Sequence, residues 1–118
     1  MRILIADSQP KVRRALRVLL EQAGQAQVVG EAADVPGLLA QIESTVADLV
    51  LLDARLPGLA MVELLQVLRR ACPGVRVVVL STRPEVGPAA LAAGADAFVS
   101  KTDPAEHLLA AIEDGRRQ

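Results

Sequence analysis

The sequence predicts a doubly wound α/β fold on one parallel five-stranded sheet, and three observations carry that prediction. Short apolar runs alternate with amphipathic, helix-period segments from end to end, the pattern of successive strand–helix–strand units. The run Leu49-Val50-Leu51-Leu52 is apolar at every position, as in a strand covered by helices on both faces. Four runs give way to a polar residue, Asp7, Asp53, Ser81 and Lys101, which parallel strands would deliver to one carboxyl edge of the sheet.

The first strand is expected over 2–6. A helix follows over 10–23, with Pro10 in its first turn and Gly24 as its stop. Its apolar residues Val12, Ala15, Leu16, Leu19, Leu20 and Ala23 recur at steps of three and four, one stripe against a sheet. A second strand spans 27–32 and a second helix 35–44; the third strand is 48–52. Pro57-Gly58 marks a turn before a helix over 60–71, with Val62, Leu64, Leu65 and Leu68 directed inward. The fourth strand is 75–80. Arg83 to Pro88 cannot form continuous helix, because Pro88 lacks a donor and Gly87 is a poor former. A shortened fourth helix over 88–93 remains. The fifth strand covers 96–100, and Asp103-Pro104-Ala105-Glu106 opens the last helix in a capping-box-like pattern, with Leu108, Leu109 and Ile112 inward.

A length of 118 residues makes one domain, 1–118, with a single core of Leu, Val, Ile and Ala, since 52% of the residues are hydrophobic and only one is aromatic. The formal charge of −1 argues against direct nucleic-acid binding or attraction to an acidic membrane by this domain. Lys11, Arg13, Arg14 and Arg17 cluster on the first helix, as a solvated face or a partner-docking surface. The lone Cys72 excludes an internal disulfide and fits a reducing compartment. The opening apolar run is too short for a signal peptide, and no run approaches a membrane span, so a cytoplasmic protein is expected.

A common topology for such a chain is the order 2-1-3-4-5, with its switch point between strands one and three. Asp7 and Asp53 end those strands. Two carboxylates a few ångströms apart repel by roughly 4 kcal/mol at an effective dielectric of about 20, so a cation is expected beside them. A divalent ion or Lys101 would serve. A carboxylate held beside positive charge can attack a phosphoryl group and carry it as an acyl phosphate, with Ser81 donating to one of its oxygens.

Ile3 to Pro10, Leu51-Leu52-Asp53-Ala54-Arg55-Leu56-Pro57-Gly58, Val79-Leu80-Ser81 and Ala93 to Lys101 together resemble the receiver domain of two-component response regulators, closest in look to those of LuxR-type transcriptional regulators. The resemblance covers the whole chain in order. It implies a flavodoxin-like fold and no enzymatic turnover of its own. Asp53 would be the phosphoacceptor, served by a sensor histidine kinase or phosphotransfer protein. Asp7, Asp53 and the Arg55 carbonyl would hold Mg²⁺, while Ser81 and Lys101 would hold the phosphoryl group. Ser81 and Phe98 would form the switch that alters the surface around the fourth helix, fifth strand and fifth helix. Homodimerisation, through the first and fifth helices or the fourth-helix face, is a further family expectation.

The pattern has departures. Ser8 stands where the family has a second acid, normally the direct metal ligand, so weakened Mg²⁺ binding is expected. Thr82 replaces a small residue and Ala60-Met61 an Asp-Gly pair. Arg55 and Arg83, each two residues beyond a strand-end site residue, could partly replace the metal, or could be ordinary exposed arginines. Asp7 and Ser8 could alternatively cap the first helix, Phe98 could be core packing, and His107, alone on the last helix with no acid partner or second histidine expected, reads as a surface or partly packed residue. The leading alternative function is a pseudo-receiver, a binding or dimerisation module independent of phosphorylation. An aspartate-nucleophile hydrolase lacks its second acid at Arg55, and a flavin-binding domain lacks a glycine-rich phosphate cradle after the first strand. Residues 115–118 could begin a linker.

Overall fold

Side chains alternate faces along a strand, and here each face of the sheet meets its own layer of helices. The computed structural model describes residues 1–24 and 26–116. Its elements are β1 (Arg2–Ala6), α1 (Pro10–Ala23), β2 (Gln27–Ala32), α2 (Val35–Ile42), β3 (Leu49–Asp53), α3 (Met61–Ala71), β4 (Arg76–Ser81), a 3₁₀ turn (Pro84–Val86), α4 (Gly87–Ala92), β5 (Ala97–Ser100) and α5 (Ala105–Arg116). The strands are parallel and ordered β2-β1-β3-β4-β5, the predicted topology.

On one face Leu4, Val50, Leu52, Val77 and Val79 pack with Leu38, Ile42, Leu64, Leu65 and Leu68 of α2 and α3. On the other, Ile3, Ile5, Leu49, Leu51, Val78 and Leu80 meet Leu20 of α1 and Leu108 and Ile112 of α5. Each fully buried leucine or valine contributes roughly 2 kcal/mol over its exposed state. This two-sided core fixes the register that aligns the strand ends.

Local chemistry explains the element boundaries. Pro10 sits in the first turn of α1, and Gly24 closes it at φ 74°, its N–H donating to the Glu21 carbonyl. Asp34 caps α2 through Oδ1, which accepts from the Gly37 N–H at 2.7 Å. That helix stops at Ile42 and not at 44, because the Ser44 and Thr45 hydroxyls turn back onto the Gln41 carbonyl and Arg2 takes the Thr45 and Val46 carbonyls.

Other expectations need correcting. Val62 of α3 is exposed, and only Leu64, Leu65 and Leu68 of the expected four are buried. With 3.6 residues per turn, Val62 falls at the flank of the stripe that Leu64, Leu65 and Leu68 form. Helix α4 starts at Gly87, one residue earlier than expected, because Pro88 then falls where an N–H has no helical partner to lose. Residues 115 and 116 continue helix α5, and residues 117 and 118 lie outside the described residues. His107 does have an acid in reach, its Nδ1 lying 3.4 Å from Asp103 Oδ2 one helical turn back.

The basic cluster of α1 is partly tied down. Arg13 and Arg17 both pair with Glu31 of β2, at 3.1 and 2.8 Å, and this hydrogen bond raises the Arg17 guanidinium above its ordinary pKa. Lys11 and Arg14 remain exposed. Cys72 is a free thiol, pushed up in pKa first by burial and then by the charge of Glu43. No helix among the described residues is long and apolar enough to cross a membrane.

Candidate functional site

The carboxyl edge gathers the strand-end residues. Asp53 is the last residue of β3, and Ser81 the last of β4, each one residue further into the strand than predicted. Asp7 follows β1, its N–H donating to the Ala32 carbonyl at 2.9 Å and its carbonyl accepting from Arg13 at 2.7 Å. Because Glu31 holds Arg13, the turn after β1 is braced from both α1 and β2. Lys101 follows β5 and donates its N–H to the Ser81 carbonyl at 2.8 Å.

The Lys101 ammonium lies 2.8 Å from Asp7 Oδ2 and 3.4 Å from Asp53 Oδ1. It thus draws together two carboxylates that are almost fully buried. Unpaired, such charges would bear a desolvation cost of several kcal/mol each. Asp7 Oδ1 accepts from the Gln9 N–H at 2.9 Å, and Asp53 Oδ1 from the Arg55 N–H at 3.1 Å. Asp53 Oδ2 carries no bond to another described residue and is not sealed from solvent. It is the open carboxylate oxygen of the edge.

A cavity of about 520 Å³ stands over these groups, lined by Ser8, Gln9, Val12, Asp53, Arg55, Ser81, Thr82 and Lys101. Ser81 Oγ accepts from the Arg83 N–H at 3.0 Å, which orients its hydroxyl while leaving its proton free to donate. Gln9 and Val12 were not read from sequence as cavity-lining residues. Gln9 had a legible signal, since a residue two past an aspartate is where an Asx turn places an N–H donor.

Several candidates take other places. Arg55 and Arg83 are exposed, and neither side chain pairs with Asp7 or Asp53; the cation between the two acids is Lys101. Of the two arginines, only Arg55 lines the cavity. Ser8 does not cap α1: the N-cap is Gln9, without a side-chain hydrogen bond. Phe98 does not line the cavity. Its half-buried ring lies against the start of α4, so close that a Cβ on Gly87 would sit 3.0 Å from Phe98 Cδ2.

The donor set fits Mg²⁺ poorly. The charged ligands on offer are the two carboxylates of Asp7 and Asp53, and both already face the Lys101 ammonium. Both oxygens of Asp7 are engaged, and one oxygen of Asp53 is left, beside a fixed ammonium. Mg²⁺ demands near-octahedral oxygen ligation, and a neutral hydroxyl at Ser8 supplies no charge toward it.

The sequence profile described as "Response regulator receiver domain" matches residues 3–113. The nitrate/nitrite response regulator protein NarL of Escherichia coli K12 is 36% identical over 112 residues, which are 93% of this chain and 52% of that protein. The chain thus spans about half the length of the curated relatives it matches. Among solved structures, a LuxR-family two-component response regulator from Aurantimonas sp. SI85-9A1 has TM-score 0.87 at 32% identity, covering 96% of this chain and 82% of that one. RcsB from Salmonella enterica serovar Typhimurium, bound to promoter rprA with the phosphomimetic BeF₃⁻, has TM-score 0.91 at 26% identity, covering 99% of this chain and 60% of that one.

Proposed function

The chain belongs to the response regulator receiver family of LuxR-type regulators, and from that membership we propose that residues 1–118 form a phosphorylation switch with Asp53 as the acceptor. Receiver domains are generally non-enzymatic signalling proteins that work with histidine kinases and phosphotransfer proteins and typically bind Mg²⁺ at their acidic pocket. The carrying observation is Asp53 Oδ2, open to a cavity it shares with Ser81 and Lys101.

In the proposed transfer Asp53 Oδ2 forms an O–P bond while the donor's P–N bond breaks. The electron pair of that bond goes to the imidazole, which leaves neutral when its other nitrogen already bears a proton. Charge on the phosphoryl oxygens is met by Lys101, which need only pivot from its paired position, and by the Ser81 hydroxyl. The anion drawn to Ser81 and Lys101 loosens the edge between β4 and β5. Phe98 lies on β5 against α4, so a shift there reaches the α4–β5–α5 surface.

The partners are a sensor histidine kinase or phosphotransfer protein, in the cytoplasm, and a second copy of this chain through the α1–α5 face. The output is control of transcription through an effector domain or partner. A phosphorylation-independent pseudo-receiver is the second reading, favoured by Ser8 and by an acid pair already neutralised by Lys101. Incubation with acetyl phosphate followed by intact mass separates the two. Gain of one phosphoryl group by the native chain and none by Asp53→Asn is the expected result. Unchanged mass in the native chain, with a related receiver labelled in parallel, would establish the pseudo-receiver.

A further inference from the structure

We propose that Lys101 is the resident counter-cation of the acidic pocket and that Ser8 sets its preference, so that this pocket works without a tightly held divalent ion. Each Asp7 oxygen already accepts one hydrogen bond, Oδ1 from the Gln9 N–H and Oδ2 from the Lys101 ammonium, and that ammonium repels a second cation approaching the same carboxylate. Asp53 offers one uncommitted oxygen. Two carboxylates against one ammonium leave a net formal charge of −1 (−2 + 1) on the buried groups. Arg55 at the cavity wall opposes even that charge.

Ser8 is a position from which a third carboxylate would change the balance. It adjoins Asp7, is exposed and lines the same cavity. Its hydroxyl caps nothing, since the N-cap of α1 is Gln9. A carboxylate there would bring the local charge to −2 and add an oxygen ligand free of Lys101, the two properties by which protein sites tune divalent affinity. With serine, the ammonium has no competitor. On the reading of Asp53 as acceptor, Lys101 and the pocket's N–H groups carry the charge neutralisation, and phosphoryl capture is insensitive to Mg²⁺.

The test is Mn²⁺ and Mg²⁺ binding to the native chain, Ser8→Asp, Ser8→Asn and Lys101→Met, by calorimetry and Mn²⁺ electron paramagnetic resonance, with circular dichroism to check each fold. Ser8→Asp is expected to bind at least about tenfold more tightly than the native chain, as an added charged ligand does. Ser8→Asn, matched in size but neutral, is expected to bind like the native chain. Lys101→Met, freeing both acids, is expected to gain affinity as well, and it keeps the test open if Ser8→Asp does not fold. Native affinity equal to that of Ser8→Asp, or no gain on removing Lys101, overturns the assignment. Acetyl phosphate labelling with EDTA or Mg²⁺ separates this idea from the acceptor reading. Labelling of the native chain that EDTA leaves unchanged supports both. No labelling of any variant, with the binding order intact, removes the acceptor and leaves the cation assignment standing. Labelling of the native chain that EDTA abolishes overturns the cation assignment and keeps the acceptor.

Discussion

Val46 holds φ at 50°, the only non-glycine residue among those described with a positive value. A β-branched side chain there crowds its own carbonyl, at roughly 1–2 kcal/mol for an L-residue in the left-handed region. The conformation persists because Arg2 grips the Thr45 and Val46 carbonyls, at 2.7 to 3.2 Å, as the chain turns from α2 toward β3. Val46 is 68% exposed, so its side chain gives back little by packing. Asparagine tolerates this conformation without the flexibility that glycine adds to the unfolded chain. Val46→Asn is therefore expected to raise stability by about 0.5–1 kcal/mol, read as a higher urea midpoint at unchanged slope. A midpoint at or below native would refute the strain. The gathering of Asp7, Asp53, Ser81 and Lys101 at one edge was legible at the same scale, because each of the four ends an apolar run. The ammonium between Asp7 and Asp53 was harder to assign. Lys101, Arg55 and Arg83 all adjoin the edge in sequence, and only the path of each side chain over the sheet decides which one arrives.

Arg69, in the last turn of α3, ties that helix to two neighbouring segments by polar bonds. Its Nε and Nη2 donate to the Gly94 carbonyl at 2.9 and 2.6 Å, Nη1 to the Val75 carbonyl at 2.6 Å, and Nη2 also reaches Asp96. Asp96 in turn accepts the Val77 N–H at 2.7 Å. The guanidinium so fastens α3 to the start of β4 and to the turn before β5. A short α4 needs this anchor, since its six residues bury only Gly87 and Ala90. Arg69→Ala is expected to cost roughly 2 kcal/mol, the loss of several charge-assisted bonds at a part-buried site. Arg69→Lys should recover less than half, because an ammonium cannot fork across two carbonyls and a carboxylate. Denaturant unfolding of both variants checks the order, and full recovery by lysine would refute the fork. The elements were readable where one period dominates: four of the five strands as apolar runs, and α1 as a stripe whose Leu16, Leu19 and Leu20 face inward although Ala15 and Ala23 are exposed. They were misread where a local bond overrides the period. Examples are the hydroxyls that end α2 early, the first-turn placement of Pro88, and Val62 on the open side of α3. The clasp itself, joining positions 69, 75, 94 and 96, leaves no periodic trace.

For the whole molecule, the two faces differ in how completely they are closed. Between α1 and α5 an apolar groove of about 400 Å³ runs along Val12, Leu16, Leu19, Leu80, Val99 and Leu108, and a second, of about 510 Å³, continues past Leu20, Ala23, Leu109 and Ile112. Val18 stands beside the seam at 46% exposure. The helices flanking the grooves are unlike in charge, α1 exposing Lys11 and Arg14 and α5 exposing Glu106 and Asp114. A two-fold pairing that sets α1 of one copy against α5 of the other would cover apolar surface at its centre and match opposite charges at its rim, a self-complementary patch. The α4 face offers mainly Leu91, 51% exposed on a six-residue helix. Sedimentation equilibrium is expected to show a dimer that weakens with salt, since rim charges are screened over about 8–10 Å near physiological ionic strength. Val18→Asp should weaken it at least about tenfold by placing a charge in the desolvated seam, whereas Leu91→Asp should leave it intact. If Leu91→Asp dissociates the pair and Val18→Asp does not, self-association belongs to the face that the phosphoryl switch would move, and the resting state of the molecule would then be coupled directly to Asp53.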